Sequence, residues 1–134
     1  MEITKTGVIP LRAEHDIVFA RQNVRRLSQE AGFGIVDQTK MVTAASELAR
    51  NAVIYGQGGD LKWELLAEGL RKGLRLHFVD QGPGIPDVAQ ALTDGWTSGT
   101  GMGLGLSGAK RLVNDFQIAT APGQGTHVTI TRWK

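Results

Sequence analysis

The amino-acid sequence predicts one α+β domain, a two-layer α/β sandwich in which helices cover one face of a mixed, mainly antiparallel sheet. Two stretches of the first half repeat apolar residues at helical spacing, whereas the second half carries strand-like runs separated by glycine-rich turns. The 134 residues are enough for one hydrophobic core, and they contain no internal repeat, linker or low-complexity segment. We therefore expect a single domain over residues 1–134.

The N-terminal half is predicted to begin with one strand and one helix. Residues 2–12 alternate loosely in hydrophobicity and favour a strand that ends near Pro10. Asp16 suits the N-cap of a helix that Gly32 and Gly34 interrupt. Its apolar stripe follows at spacings of three and four residues and consists of Ile17, Ala20, Val24, Leu27 and Ala31.

A second helix is predicted to be capped by Asp37 and closed by Gly56. Its apolar stripe consists of Met41, Ala45, Leu48, Ala52 and Tyr55. Glu47 and Asn51 are four residues apart, so their side chains lie one above the other at the margin of this stripe. A carboxylate that can accept a proton and an amide oxygen that can bind a hard cation are a chemically useful pair.

The second half predicts a hairpin, whose strands over 61–68 and 73–80 flank a turn from Gly69 to Gly73. The second strand places Asp80 at its end. A short helix over 86–92 and a loop over 93–102 are predicted to follow. The next predicted helix begins at Gly103 or Gly105 and contains Leu106, Ala109, Leu112 and Val113. Two strands, over about 116–121 and 126–132, complete the prediction.

Composition excludes several classes of function. The formal net charge is +2, and the basic residues are scattered without an aromatic platform, which is not typical of a nucleic-acid-binding protein. Because the chain has no cysteine, we predict no disulfide framework, thiolate chemistry or zinc site. The three dispersed histidines are interpreted as structural or exposed. With no apolar run for a signal peptide or membrane span, we expect a cytoplasmic protein that binds no membrane.

Two further motifs indicate a ligand site. In the turn after the hairpin, Asp80 can accept a hydrogen bond from an exocyclic amine such as that of adenine, and Gly82 and Gly84 allow a flat ligand to approach the backbone. An ordinary turn would explain the same residues. The run Gly101-Met102-Gly103-Leu104-Gly105 can present backbone N–H groups to phosphate, although a flexible surface loop is the alternative.

Two better-known glycine motifs do not fit this run. The dinucleotide pattern requires a strand before Gly103 and an acidic residue about twenty positions later, and the sequence has neither. The Walker pattern fails because Lys110 is displaced by one position and Arg111 replaces the serine or threonine. The acidic helix, the aspartate turn and the glycine run, each ambiguous alone, together indicate a nucleotide site.

The sequence resembles the GHKL (Bergerat-fold) superfamily of ATP-binding domains over essentially its whole length. The N box of that family resembles residues 47–52, its first glycine box residues 80–84, its second residues 101–106 and its last Gly125-Thr126. Within the superfamily the sequence is most similar to small bacterial serine/threonine kinases of the anti-sigma regulatory group, of the RsbT type. The stretches that carry this similarity are 16–22, 32–38, 46–51, 80–87 and 108–112.

The resemblance implies that the chain binds ATP with Mg²⁺. It implies that Asp80 hydrogen-bonds the adenine amino group with support from Thr126, that Asn51 binds Mg²⁺, and that Glu47 orients or deprotonates the attacking hydroxyl. Gly101, Gly103 and Gly105 are expected to cradle the phosphates. The other nucleotide-binding residues that it implies are Arg50, Gly82, Gly84, Ile85, Met102, Leu104 and Leu106.

The resemblance also implies the partners. A kinase of this type phosphorylates a serine or threonine of a STAS-domain antagonist in a stress-sensing complex, the stressosome, and when released it binds and activates a PP2C-type phosphatase. The alternative is an anti-sigma factor of the same fold that holds a sigma factor and uses ATP as a switch. A degenerate module without chemistry is a third possibility, which the presence of Glu47 together with Asn51 disfavours. A sensor histidine kinase or a gyrase-like protein would need further segments.

Overall fold

The computed structural model describes residues 1–85, 92 and 106–134. The elements, in chain order, are β1 (Glu2–Leu11), α1 (Glu14–Glu30), α2 (Ile35–Arg50), a π-helical turn (Asn51–Tyr55), β2 (Gly59–Glu68), β3 (Arg71–Asp80), α3 (Leu106–Arg111), β4 (Asp115–Thr120) and β5 (Thr126–Trp133). Except for residue 92, the helix predicted over 86–92 lies outside the described residues, as does the glycine run.

The strands form one five-stranded sheet in the order β1-β2-β3-β5-β4. The predicted, mainly antiparallel sheet is confirmed. In the described part of the chain each strand pair is antiparallel, so the sheet is not mixed there. Asp80, the last residue of the central strand β3, pairs with Gly59 on one side and with Thr126 on the other. The register therefore brings the ends of three strands together at one edge.

The hydrophobic core lies between one face of the sheet and the helices. Leu74, Leu76 and Phe78 of β3 are buried as the alternating pattern predicts. The predicted stripes of the two long helices, among them Val24 of α1 and Leu48 of α2, are buried in the same cluster, except for Tyr55, which is only half-buried. The two-layer α+β sandwich is therefore confirmed, and the opposite face of the sheet carries polar side chains. In the described residues no helix is long and apolar enough to cross a membrane.

Both predicted N-caps are wrong by three residues. The cap of α1 is Ala13, and Asp16 lies in the first turn, where its carboxylate accepts the backbone N–H groups of Arg12 and Ala13 at 2.8 and 3.0 Å. These two hydrogen bonds lower the pKa of Asp16. The cap of α2 is Gly34. Aspartates within the first turn still favour each helix, because they complement its positive N-terminal end.

Asp37, in the first turn of α2, has a partner far away in the sequence. Its Oδ1 accepts a hydrogen bond of 2.6 Å from Nη2 of Arg132 in β5, and Nη1 of the same guanidinium donates to the Leu112 carbonyl at 2.8 Å. The Arg132 side chain is only 15% exposed, so this partly buried ion pair links α2 to β5 and thus the helical layer to the sheet.

Smaller differences concern the ends of elements. The hairpin strands pair as far as Glu68 and Arg71, so the connection is the two-residue loop Gly69-Leu70 and not a turn that extends to Gly73. A left-handed backbone at Gly69, with φ of 61°, makes this short loop possible. The helix that was predicted to reach Val113 ends at Arg111. The last two strands lie within one residue of their predicted bounds.

Candidate functional site

A pocket opens where the end of α2, the π-helical turn, the end of β3, the start of β5 and the start of α3 meet. Six residues that the sequence predicts at a nucleotide site line this pocket: Asn51, Asp80, Gly84, Ile85, Leu106 and Thr126. Its remaining walls are largely apolar and include Leu48, Ala52, Phe78 and Val128. The pocket thus combines apolar walls with one carboxylate, which suits a flat, partly polar ligand.

Asp80 is the ionisable group of this pocket. Its side chain is half-buried, and burial raises the pKa of its carboxyl group. Hydrogen bonds from the backbone of Gly82 and Thr126 act in the opposite direction without cancelling the effect of burial. The Gly82 N–H donates to Oδ1 at 2.9 Å and fixes the carboxylate. A carboxylate that has lost part of its hydration gains from a ligand that donates a hydrogen bond to it.

Gly56 approaches the side chain of Asp80, and Gly82 approaches Gly56, so closely that a Cβ at either position would collide with its neighbour. A Cβ on Gly56 would lie 2.5 Å from Cγ of Asp80, and a Cβ on Gly82 would lie 2.7 Å from Cα of Gly56. Gly82 therefore lies beside the carboxylate and is not among the residues that line the pocket. Gly56 was predicted only to end a helix, and its contact with Asp80 is an additional role that the sequence did not reveal.

The helix that carries Asn51 changes its winding at that residue. After α2 the segment Asn51–Tyr55 forms a π-helical turn, and the Gly56 N–H donates to the Asn51 carbonyl at 2.8 Å, across five residues. The wider turn brings three of its positions, Asn51, Ala52 and Tyr55, and the following Gly56 to the pocket wall. Such turns are frequent at functional sites.

Thr120, at the end of β4, connects the parts of the site and was missed by the sequence analysis. Its hydroxyl accepts the Ile85 N–H at 3.0 Å and donates to the Gly125 carbonyl at 2.8 Å. The same oxygen lies 3.0 Å from Oγ1 of Thr126. Since Thr120 pairs with Thr126 across the last two strands, the register of the predicted strand pair is the signal that would have identified it.

We predict that Thr120→Val weakens ATP binding and lowers the free energy of unfolding by about 1–3 kcal/mol. Valine has the same shape but leaves the Ile85 N–H and the Gly125 carbonyl without this partner. Urea unfolding and calorimetric titration with ATP measure the two effects. Thr43→Val, at an exposed position of α2, is the matched control. Equal effects of the two substitutions would contradict the connecting role of Thr120.

Other predicted residues lie away from the pocket wall. Glu47 is half-buried in α2, one turn before Asn51, and Arg50 is exposed. Neither of them lines the pocket. Gly101, Met102, Gly103, Leu104 and Gly105, which were predicted to surround the phosphates, lie outside the described residues. Apart from Asn51, the predicted Mg²⁺ ligand, the described site thus corresponds to the part that was predicted to hold the adenine ring.

Comparison with known proteins agrees with this geometry. Residues 36–134 match the family model of histidine kinase-, DNA gyrase B- and HSP90-like ATPases. The serine/threonine-protein kinase RsbT of Bacillus subtilis is 42% identical over 125 residues, which cover 93% of this chain and 94% of that protein. The anti-sigma F factor of Clostridium novyi is 26% identical over 119 residues, or 85% of this chain and 83% of that factor.

A solved structure has the same fold. It contains the RsbU and RsbW domains of a Mycobacterium tuberculosis protein and superposes with a TM-score of 0.61 at 20% identity. The match covers 96% of this chain but only 32% of that longer chain. At this identity the likeness concerns the fold alone.

Proposed function

We propose that this chain, which belongs to the family of histidine kinase-, DNA gyrase B- and HSP90-like ATPases, is a serine/threonine protein kinase that takes its phosphoryl group from ATP. The observation that carries the proposal is the pocket in which Asn51, Asp80 and Thr126 meet. The 42% identity to a serine/threonine-protein kinase over nearly the whole chain supports this activity over others in the family.

The adenine ring is proposed to lie between the apolar walls of the pocket. Asp80 accepts a hydrogen bond from the amino group of the ring, and the Thr126 hydroxyl supports the same edge. The close approach of Gly56 and the hydrogen bond from the Gly82 N–H hold the carboxylate in place for this contact. A ring that donates one hydrogen bond at its edge and is otherwise flat and apolar satisfies these walls better than a sugar or an amino acid does.

Asn51 is the proposed protein ligand of Mg²⁺, which supplies charge neutralisation at the phosphates when it is bound. Among the described residues no group of three or more His, Cys, Asp or Glu side chains is placed to bind a metal. A single amide oxygen fits this situation, because Mg²⁺ in nucleotide sites takes most of its ligands from phosphate and water. Gly101 to Gly105 and the exposed Arg50 are the proposed phosphate contacts.

Glu47 is the proposed catalytic residue. It lies one helical turn before Asn51, the proposed Mg²⁺ ligand, so the two side chains share one face of the helix. From there its carboxylate orients the serine or threonine hydroxyl of the acceptor and takes its proton during transfer. Positioning and charge neutralisation account for the rest of the rate enhancement in phosphoryl transfer.

The proposed acceptor is a STAS-domain antagonist protein in the cytoplasm, and the proposed effector of the released kinase is a PP2C-type phosphatase. A second candidate is an anti-sigma factor that binds a sigma factor in an ATP-gated way. The observation that favours this candidate is the similarity to anti-sigma F factors, at 26% and 24% identity. That similarity is weaker than the similarity to the kinase, so we place the kinase first.

Transfer of labelled γ-phosphate from Mg-ATP to a STAS-domain protein encoded nearby tests the proposal. We expect label on a serine or threonine of the acceptor and no transfer when Mg²⁺ is removed with a chelator. Absence of label, together with an ATP-dependent complex with a sigma factor, would contradict the kinase and favour the second candidate.

A further inference from the structure

The face of the sheet that points away from the helices carries a compact group of polar side chains on its three central strands. His77 of β3 pairs directly with Thr129 of β5, and His127 precedes Thr129 by two residues on the same face. The two histidines are 50 residues apart in the sequence, so their spacing does not match any short metal-binding motif. They lie beside a shallow groove whose walls include Lys62 and Glu64 of β2.

Three nitrogen and oxygen atoms of this group that could bind a metal form a nearly equilateral triangle. Nδ1 of His77 lies 3.2 Å from Nε2 of His127 and 3.2 Å from Oγ1 of Thr129. Oγ1 of Thr129 lies 3.3 Å from Nε2 of His127. Two imidazole nitrogens bound tetrahedrally to one zinc ion, each at its usual distance, are separated by about 3.3 Å. The triangle therefore has the dimensions of one face of a tetrahedral metal site.

The tautomer of His77 also fits metal binding. Its Nε2 lies 2.7 Å from Oε1 of Glu64, and the same oxygen accepts a hydrogen bond of 2.6 Å from Nε of Arg75. Because a carboxylate only accepts hydrogen bonds, Nε2 of His77 carries a proton, and in the neutral ring the lone pair is therefore on Nδ1. A carboxylate behind a histidine ring orients metal-binding imidazoles in the same way.

We propose that His77 Nδ1 and His127 Nε2 bind a divalent transition metal of the zinc, nickel or copper class, with the Thr129 hydroxyl as the third donor. Imidazole nitrogen suits these metals, whereas Mg²⁺ and Ca²⁺ prefer sites built from oxygen. The proposal is independent of the nucleotide pocket. It departs from the prediction that the chain has no zinc site, because that prediction rested on the lack of cysteine.

The charges around the triangle permit a bound cation. Glu64 is paired with Arg75, so these two groups offset each other. Lys62 acts electrostatically on His127 and opposes a second positive charge. Its side chain is exposed, so its ammonium group can move into solvent when a metal binds.

Calorimetric titration of the full chain with ZnCl₂, without nucleotide and in a buffer that does not bind metals, tests the site. We expect one Zn²⁺ per chain, and an affinity that falls at least tenfold in His127→Ala and in His77→Ala. His127 is exposed, so its substitution leaves the fold intact. His15→Ala is the matched control, since this histidine lies in α1 and its side chain is 84% exposed.

A spectroscopic measurement locates the ligands independently of the variants. Nitrogen NMR of the wild-type rings is expected to show zinc-dependent shifts at Nδ1 of His77 and Nε2 of His127, with His15 unchanged. Absence of zinc binding in the wild type overturns the proposal. Binding that His127→Ala leaves unchanged, or that His15→Ala abolishes, overturns it as well.

Discussion

Replacing Glu47 by glutamine is expected to reduce phosphoryl transfer at least about 100-fold while ATP binds with wild-type affinity. A general base contributes about 10²–10⁴-fold to a rate, and glutamine keeps the size of the side chain but cannot accept the proton. Binding should persist because Glu47 does not line the pocket. Single-turnover transfer to the acceptor protein measures the first effect, and calorimetry with Mg-ATP measures the second.

A matched control for this substitution is Glu68→Gln, which changes an exposed glutamate at the end of β2. It removes one negative charge without touching α2, so both transfer and binding should keep their wild-type values. If Glu47→Gln transfers phosphate as fast as the wild type, Glu47 takes no part in the chemistry. A loss of ATP affinity equal to the loss of rate would instead make Glu47 a binding residue.

Asp80→Asn is expected to weaken ATP binding by about 1.5–3 kcal/mol, which is roughly a 10- to 150-fold increase in Kd. The amide can still accept the Gly82 N–H, but it loses the charge that would strengthen the proposed bond to the adenine amino group. Calorimetric titration with ATP measures the change. Asp115→Asn, at an exposed position of β4, is the matched control, and an affinity that both variants share with the wild type would exclude the adenine contact.

The same substitution has an expected effect on the protein without ligand. Burial raises the pKa of Asp80 above its unfolded value of about 3.9, so the folded state binds more protons than the unfolded state between these two pKa values. This carboxyl group therefore reduces stability as the pH rises through that window. Asparagine has no such penalty, and we expect ligand-free Asp80→Asn to be at least as stable as the wild type at pH 7 in thermal unfolding.

The order of strands and helices could be predicted because each element has a clear local period. The helix caps could not, since an aspartate favours both the cap and the first turn of a helix. Asp37 of the first turn is paired with Arg132, which lies 95 residues away in the sequence. A partner so far away in the sequence cannot be predicted from the residues that surround Asp37.

Some residues of the candidate site could be predicted from the sequence, and others could not. Asn51, Asp80 and Thr126 could be predicted because each belongs to a short motif. The role of Thr120 depends on the register of the last two strands, and that of Gly56 depends on its close packing against the carboxylate of Asp80 in β3. Both roles depend on which segments meet in space.

The π-helical turn makes the site sensitive to the number of residues in the chain as well as to their identity. Each residue of a helix turns the following chain by about 100°. If the same number of residues wound as an ordinary α-helix, Gly56 would be carried further around the helix axis and away from Asp80, so the position of this glycine depends on the one extra residue that the π-helical turn holds. Exposed side chains there, such as that of Ile54, can change without this consequence. Among related chains, one that lacks a residue in this segment should therefore wind it as an ordinary α-helix and keep the glycine beside the aspartate.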